Sequence, residues 1–344
     1  MIGESPAMPI SMPVDLPHFW GAVLALSILI YVLLDGFDLG VGMLFGLNRD
    51  EAQRRDMMGA IAPVWDGNET WLIVVGTVLF GAFPVVYAVF LAAFYLPVAL
   101  LLVALILRGV AFEFRYKTQR GRWIWDFGFV AGSTVAAFVQ GAAIGAMVAG
   151  IAVDGREFAG GPFDWIAPFP LLCGVGLVAG YALLGAGWLV LKTAGELRDW
   201  AYGLLPRLMT AVIVFVTLAL VGTLLGDFHV VDRWLAQPWL FSLPLVASLA
   251  AWQLYRVAAA RRSEWQPYAL ASLLFLTAYL MLAASFWPWL VPYHLTLADA
   301  AAPAASLEFL FWGAGVIVLP VILIYTGVVY WVFRGKVDPG QHYH

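Results

Sequence analysis

Charged side chains are scarce in this sequence. Asp, Glu, Lys and Arg make up 12% of its 344 residues, and 63% are hydrophobic. A soluble domain carries about 25% charged residues, so a soluble enzyme is excluded. Disordered and nucleic-acid-binding proteins also need many charged residues, so the low charge excludes these two classes as well. Unbroken apolar runs of about 20 residues exclude a transmembrane barrel, which shows shorter alternating segments. The sequence therefore predicts an all-α polytopic membrane protein.

Cysteine and histidine are nearly absent from the apolar runs. The single Cys173 excludes a disulfide framework and any cysteine-based zinc or iron–sulfur centre. The five histidines lie in predicted loops or in the tail: His18, His229, His294, His342 and His344. Haem in a helical bundle is usually held by axial His or Met. We therefore expect this chain to bind no haem through axial ligands, and any redox cofactor to lie on a partner.

Nine apolar runs are long enough to cross a membrane. They cover residues 19–45, 58–80, 85–112, 125–149, 166–191, 200–225, 239–255, 267–291 and 307–333. Fifteen of the 18 Lys and Arg residues fall in alternate connections and the tail, two in the other connections and one, Arg108, inside a run. Positive loops stay in the cytoplasm. We therefore expect the N-terminus outside and the C-terminus in the cytoplasm.

A weak internal repeat relates the first and fifth runs. YVLLDGFDL at 31–39 matches YALLGAGWL at 181–189 at an offset of 150 residues. The predicted domains are a first four-helix bundle over 1–150, a second over 151–292, and a peripheral ninth helix with the tail over 293–344. Because the second copy lacks both aspartates, we expect the chemistry in the first bundle.

Ionisable residues inside the predicted runs cluster in the first bundle. Asp35 and Asp38 are three residues apart on one helix, and Asp66 and Glu69 repeat that spacing on the next. Helix geometry predicts that Asp35 and Asp66 are neighbours at one depth, with Arg108 as their basic partner. The predicted site comprises Asp35, Asp38, Trp65, Asp66, Glu69, Arg108 and Glu113.

Two interpretations of this cluster stay open. Crowded carboxylates hold protons more tightly, which suits a proton route. Pairing is also a common way to satisfy charge inside a membrane, so the same acids and Arg108 can form a clasp that holds helices together.

Three segments carry a family resemblance. LDGFDLG at 34–40, PVWDGNETW at 63–71 and LRGVAFEFR at 107–115 resemble subunit II of the cytochrome bd-type quinol oxidases. The chain is on the short side, as in the cyanide-insensitive branch.

The resemblance implies a heterodimer that oxidises quinol and reduces dioxygen to water with protons taken from the cytoplasm. Haems b and d are then expected on the partner, subunit I, and a structural ubiquinone in this chain and a small single-helix subunit are compatible with the family. Subunit II is then also expected to provide a polar route from the cytoplasm, formed by Asp35, Asp38 and Asp66, with Glu69, Arg108 and Trp65 near it.

Two other functions compete with this one. A secondary transporter could couple protons to a solute through the same acids. Transporters tend to break helices in both repeats, however, and the second repeat has no ionisable interior. The third alternative is a membrane anchor without chemistry of its own.

Overall fold

The apolar runs fold into long helices in the computed structural model, which describes residues 14–118, 120–225 and 230–337. The first half contains α1 (Leu16–Phe45), α2 (Glu51–Ile61), α3 (Trp65–Ala82), α4 (Pro84–Phe114) and α5 (Arg122–Ala149). The strands β1 (Val153–Asp154) and β2 (Glu157–Phe158) form an antiparallel hairpin after α5.

The second half contains α6 (Pro168–Lys192), α7 (Gly195–Leu225), α8 (Val230–Ala236), a 3₁₀ turn (Pro238–Phe241), α9 (Ser242–Ala260) and α10 (Gln266–Phe286). A second hairpin, β3 (Trp289–Val291) and β4 (Leu295–Thr296), leads into α11 (Leu297–Ala300). The chain then forms α12 (Ala304–Leu310), a π-helical stretch (Phe311–Val318) and α13 (Leu319–Val332). His229, His342 and His344 lie outside the described residues.

Eight helices in the described part of the chain are long and apolar enough to cross a membrane, where the sequence predicts nine. The difference is the second predicted run, 58–80, which the structure divides between α2 and α3. Residues 62–64 separate the two helices, and α3 begins with a polar turn that contains Asp66, Asn68 and Glu69. These polar residues lower the mean hydropathy of an 18-residue helix that is about 27 Å long.

Tight packing around α1 forms the centre of the molecule. From Asp35 to Phe45 every side chain of α1 is buried. Its main neighbours are α3, α5 and α6, and α5 and α6 also pack against each other. Gly40 and Gly185 mark the crossing of α1 with α6, since a Cβ at Gly185 would lie 2.5 Å from the Gly40 carbonyl carbon. Small residues allow such a close approach of two helix backbones.

The connections rich in Lys and Arg meet at one end of the bundle, here called the basic end. Gln53 of α2 contacts Glu196 at the start of α7, and Arg198 of α7 contacts Glu264 before α10. The segment after α13 joins them, because Lys192 Nζ donates to the Phe333 carbonyl oxygen at 2.5 Å. This convergence agrees with the uneven distribution of basic residues along the sequence.

Candidate functional site: a buried cluster of carboxyl groups

Asp35 and Asp38 lie in the most tightly packed part of α1. Both residues have 0% of their surface exposed. Gly36, between them, packs against the ring of Tyr181 on α6. Ionisable groups are expensive to bury, and in membrane proteins they mark functional sites by default.

Arg108 supplies the positive charge at this site. Its Nη1 atom lies 3.2 Å from Asp35 Oδ1 and 2.8 Å from Glu69 Oε1, so that it connects α4 with α1 and α3. Its side chain is 1% exposed, against 22% for that of Glu69. Trp65 stands next to this group, with its ring centre 6.0 Å from the Arg108 guanidinium carbon.

Asp38 has an amide as its partner. Asn68 Nδ2 donates to Asp38 Oδ2 at 2.7 Å. The other end of the same amide, Oδ1, accepts from the hydroxyl group of Tyr330 at 3.0 Å. A hydrogen-bonded chain therefore runs from Asp38 on α1 through α3 to α13.

A second polar chain lies one helical turn before Asp35. Gln140 Nε2 donates to the Tyr31 hydroxyl group at 2.8 Å, and the Tyr181 hydroxyl group donates to Gln140 Oε1 at 3.1 Å. These residues and Tyr330 were missed by the sequence analysis. Gln140 could have been found, because it is an amide within the apolar run 125–149; nothing in the sequence places Tyr330 near α1.

Two of the predicted site residues lie apart from the cluster. Asp66 is on the exposed face of α3, and the expectation that it neighbours Asp35 is wrong. Each helical residue turns the side chain by 100°, so that Asp66 points away when Asn68 faces α1. Glu113 is exposed as well and pairs with Lys117 at 3.5 Å. It is turned by about 140° from Arg108, five residues before it.

Negative charge exceeds positive charge in this cluster. Asp35, Asp38 and Glu69 lie together, and Arg108, the cation of this group in the described part of the chain, pairs with Asp35 and Glu69 only. Asp35 Oδ2 and Asp38 Oδ1 are buried and without a hydrogen-bond partner among the described residues. Carboxylates in excess of their cations are costly in a buried site, so this arrangement favours a bound proton on at least one of them.

A separate ionic cluster joins helices at the basic end. Arg115, just after α4, is fully buried and donates from both terminal nitrogens to Glu51 at 2.9 Å each, and from Nε to Asp126 at 2.5 Å. Hydrogen bonds from Arg115 hold the pKa of Glu51 below its usual value. Bidentate pairs of this kind fix geometry as well as charge, so this cluster fixes α2 against α4 and α5.

The long apolar helices and the buried charges define a multi-pass α-helical membrane protein with an ionisable site in its core. The family model of cytochrome bd terminal oxidase subunit II matches residues 16–333. The chain therefore belongs to this family, as the three sequence motifs predict, and it is a subunit of a bd-type quinol oxidase, an oxidoreductase complex. The secondary transporter is not favoured.

Curated relatives and a solved structure agree with this assignment. Cytochrome bd-I ubiquinol oxidase subunit 2 of Escherichia coli K12 is 31% identical, with 94% of this chain and 95% of the relative covered. Cytochrome bd ubiquinol oxidase subunit 2 of Bacillus subtilis is 32% identical over 59% of this chain and 61% of its own length. The structure of bd oxidase from Geobacillus thermodenitrificans matches with a TM-score of 0.72 at 15% identity, covering 92% of this chain and 99% of that chain, and supports the fold.

The bd oxidase family uses haems b and d, and the described histidines of this chain do not fit axial ligation inside the bundle. His18 is at the start of α1, where its exposed ring contacts Asp15 at 2.8 Å. His294 lies in the β3–β4 hairpin. Neither ring reaches the interior of a described spanning helix, where a haem plane would need its ligand.

Proposed function

We propose that this chain is the non-haem subunit II of a quinol:dioxygen oxidoreductase in a bacterial inner membrane, and that its buried carboxyl cluster moves protons from the cytoplasm toward the partner. The partner is subunit I, which carries haems b and d. The substrates of the complex are ubiquinol and dioxygen. The observation that carries the proposal is the group of three carboxyls around Arg108, two of them fully buried.

The proposed topology has nine crossings, with α3 as the second. Its length of about 27 Å approaches the thickness of the hydrocarbon core, about 30 Å. The basic end faces the cytoplasm, in agreement with the positive-inside rule. The helices α1, α3, α4 and α5 then form the first bundle (1–150), α6, α7, α9 and α10 the second (151–292), and α12 to α13 the peripheral ninth crossing (293–344).

The exposed face of α3 is the proposed contact surface for subunit I. Asp66, Thr70, Ile73, Thr77 and Phe80 follow one stripe of this helix, and Thr70 alone among them is partly buried. A carboxylate that faces lipid is unfavourable, by about 2.5–3.5 kcal/mol at the centre of a membrane and by less in the first turn of α3, where Asp66 lies. A protein partner with a matching donor removes that cost, and therefore Asp66 belongs to the interface and not to the lipid surface.

The division of roles follows from the contacts. Arg108 holds Asp35 and Glu69 by charge, whereas Asp38 is held by a neutral amide. A carboxyl group without a cation can bind and release a proton at a smaller electrostatic cost than an ion-paired one. Asp38 is therefore the proposed proton carrier, and Glu69, with 22% of its side chain exposed, is the member nearest the surface.

The test is the Asp38→Asn variant in the purified complex. We expect oxygen consumption driven by ubiquinol to fall at least tenfold, with unchanged haem content and unchanged recovery of subunit I. Asp154→Asn is the matched control, because Asp154 is exposed in the β1–β2 hairpin. Haem lost together with activity indicates a role in assembly; full turnover in an intact complex contradicts the proton role.

Asp66→Asn tests the contact surface separately. We expect less subunit I to copurify with the variant than with Asp154→Asn, and lower oxygen consumption per cell as a result. Normal recovery of the complex refutes the assignment of this face.

A further inference from the structure

A cavity of about 570 Å³ lies between the peripheral helix α13 and the rest of the bundle at the basic end. Its walls are formed by the α2–α3 turn, α6, α10, α13 and the segment after α13. The helix α13 packs loosely here, because none of its 14 residues is buried. The space beside α13 can therefore hold a further component that the helix packs against.

Most of the side chains along this cavity are apolar. Leu34 of α1, Val64 before α3, Leu191 of α6 and Val332 of α13 all line it. An apolar cavity of about 150 Å³ holds one benzene molecule, and this cavity is nearly four times as large. It therefore has room for the carbon atoms of one acyl chain.

The length of the cavity also matches an acyl chain. The helices α1 and α6 cross at Gly40 and Gly185, and both end at the basic end. Leu34 lies six residues before this crossing, and Lys192 lies seven residues after it. At 1.5 Å per residue, the two lining residues are up to about 20 Å apart along the bundle. One leaflet of the hydrocarbon core is about 15 Å thick, so the cavity reaches from the headgroup level toward the middle of the membrane.

A buried lysine without an acidic partner lies at the mouth of the cavity. Lys192, the last residue of α6, is 7% exposed and lines the cavity. Its Nζ atom donates to the backbone carbonyl oxygens of Phe333 and Gly335, and no carboxylate among the described residues pairs with it. Two carbonyl groups use two of the three ammonium donors and leave the charge uncompensated. A buried charge of this kind is costly, and an anion at the mouth would remove the cost.

Arg334 adds a second uncompensated charge at the mouth. It lines the cavity, lies 5.3 Å from the ring centre of Trp331, and has no carboxylate partner among the described residues. Lys336 also lines the mouth, but it pairs with Glu264 at 2.8 Å. Trp331 is 66% exposed, and tryptophan is typical of the membrane–water interface. The two free cations therefore lie where lipid phosphates are found.

We propose that this cavity binds one anionic phospholipid from the leaflet at the basic end. Its phosphate lies at Lys192 and Arg334, and one of its acyl chains fills the space between α6, α10 and α13. Basic pockets between membrane helices hold anionic headgroups in this way. Ubiquinone is neutral and leaves both charges uncompensated, and a free phosphate ion leaves the apolar space empty. The bound lipid fixes α13 against the bundle, and this role is independent of the proposed proton role of the carboxyl cluster.

The first test locates the lipid in the whole complex, purified and reconstituted in phosphatidylcholine vesicles. The probe is phosphatidylglycerol with a photoreactive diazirine at the end of one acyl chain. We expect peptides that contain Leu34 or Tyr330, which line the cavity, to be labelled at least fivefold more than the peptide around Leu220 on the exposed face of α7. An excess of unlabelled phosphatidylglycerol should remove this labelling. Ubiquinone and inorganic phosphate should not.

The second test removes the two charges. The double variant Lys192→Gln, Arg334→Gln should lower the labelling at least fivefold and abolish the rise in Tm that phosphatidylglycerol gives the wild-type complex. Lys192→Arg keeps the charge and should keep the labelling within twofold. Arg262→Gln is the matched control, because Arg262 is an exposed arginine near the basic end that does not line the cavity.

The third test fills the acyl space and keeps the cations. Leu191→Trp places a larger side chain on the wall of the cavity and should lower the labelling at least threefold, with unchanged haem content and recovery of the complex. Leu249→Trp is its control, because Leu249 is exposed on α9 and does not line the cavity. This variant decides the question if the double charge variant does not assemble.

Each other result contradicts the proposal. Labelling spread evenly over the exposed helices overturns the site. Labelling that survives the loss of both charges shows that no anionic headgroup is recognised. Displacement by ubiquinone identifies a quinone pocket, and displacement by inorganic phosphate identifies an ion site without an acyl chain. Asp38→Asn should keep the labelling, so that a failure of the proton role leaves this result unchanged.

Discussion

Replacement of Arg108 by Gln tests how much of the cluster is a clasp. Arg108 is 1% exposed and its Nη1 atom lies 3.2 Å from Asp35 and 2.8 Å from Glu69. At an effective dielectric constant of about 20, each pair has a gross attraction of roughly 5–6 kcal/mol. The desolvation of the three groups offsets much of this gain.

The free energy of unfolding that Arg108→Gln removes is better estimated from the carboxylates that the substitution leaves unpaired. Removal of one partner from a buried ion pair costs about 3–5 kcal/mol, because the other charge is left uncompensated. For a chain of 344 residues, this free energy corresponds to a fall in Tm of roughly 4–7 °C. The measurement is thermal unfolding of the detergent-solubilised complex.

A double-mutant cycle with Asp35→Asn isolates the pair. If the clasp dominates, Arg108→Gln combined with Asp35→Asn should be more stable than Arg108→Gln alone, with a coupling energy of about 1–3 kcal/mol. Arg207→Gln is the control for the loss of a positive charge on a helix, because Arg207 lies on α7, outside the cluster. If Arg108→Gln lowers Tm by less than 1 °C, or if the double-mutant cycle shows no coupling energy between Arg108 and Asp35, this reasoning is refuted.

Two further predictions concern the packing and the basic end. Gly40→Leu should prevent assembly or lower Tm by several degrees. A side chain at position 40 overlaps the Tyr181 carbonyl oxygen, so the backbone of α6 must move. The measurements are the recovery of the complex and its thermal unfolding. Because the pKa of Glu51 is lowered in the folded state, its contribution to stability is complete above its unfolded pKa near 4.5 and is lost as the pH falls through the lower folded value. When Tm is measured at a series of pH values, the wild type should therefore lose more stability than Glu51→Gln below pH 4.5. If Tm falls equally with pH in the two proteins, ionised Glu51 does not contribute this stability.

The membrane class and the long helices could be predicted from sequence because they depend on local properties. A run of about 20 apolar residues has one stable form in lipid, a helix, and eight of the predicted runs correspond to long apolar helices. The turn between α3 and α4 was also predictable, since Pro84 occupies the first position of α4, which proline favours. The run 58–80 does not form one continuous helix, because its polar half begins a second helix, α3, and hydropathy alone does not locate a break in the backbone.

The charged residues of the site could be predicted from the sequence, whereas their arrangement and their uncharged partners could not. Asp35, Asp38, Glu69 and Arg108 were identified because buried charge is rare in apolar helices. The expectation that Asp35 and Asp66 are neighbours was wrong because depth along a helix was considered without rotation about its axis. Tyr330 is 262 residues from Asn68 along the chain, and a single sequence carries no signal for such a contact.

Different members of the cluster fit the two interpretations that the sequence left open. A clasp needs one cation and a carboxylate, and Arg108 with Asp35 and Glu69 already forms one between α1, α3 and α4. Asp38 adds negative charge to that group, and its hydrogen bond comes from the neutral Asn68. A fully buried acid without a cation contributes little to holding helices together when ionised, because its desolvation is not repaid. We infer that the clasp and the proton carrier are neighbouring parts of one cluster, and that stability should follow Arg108 while turnover follows Asp38.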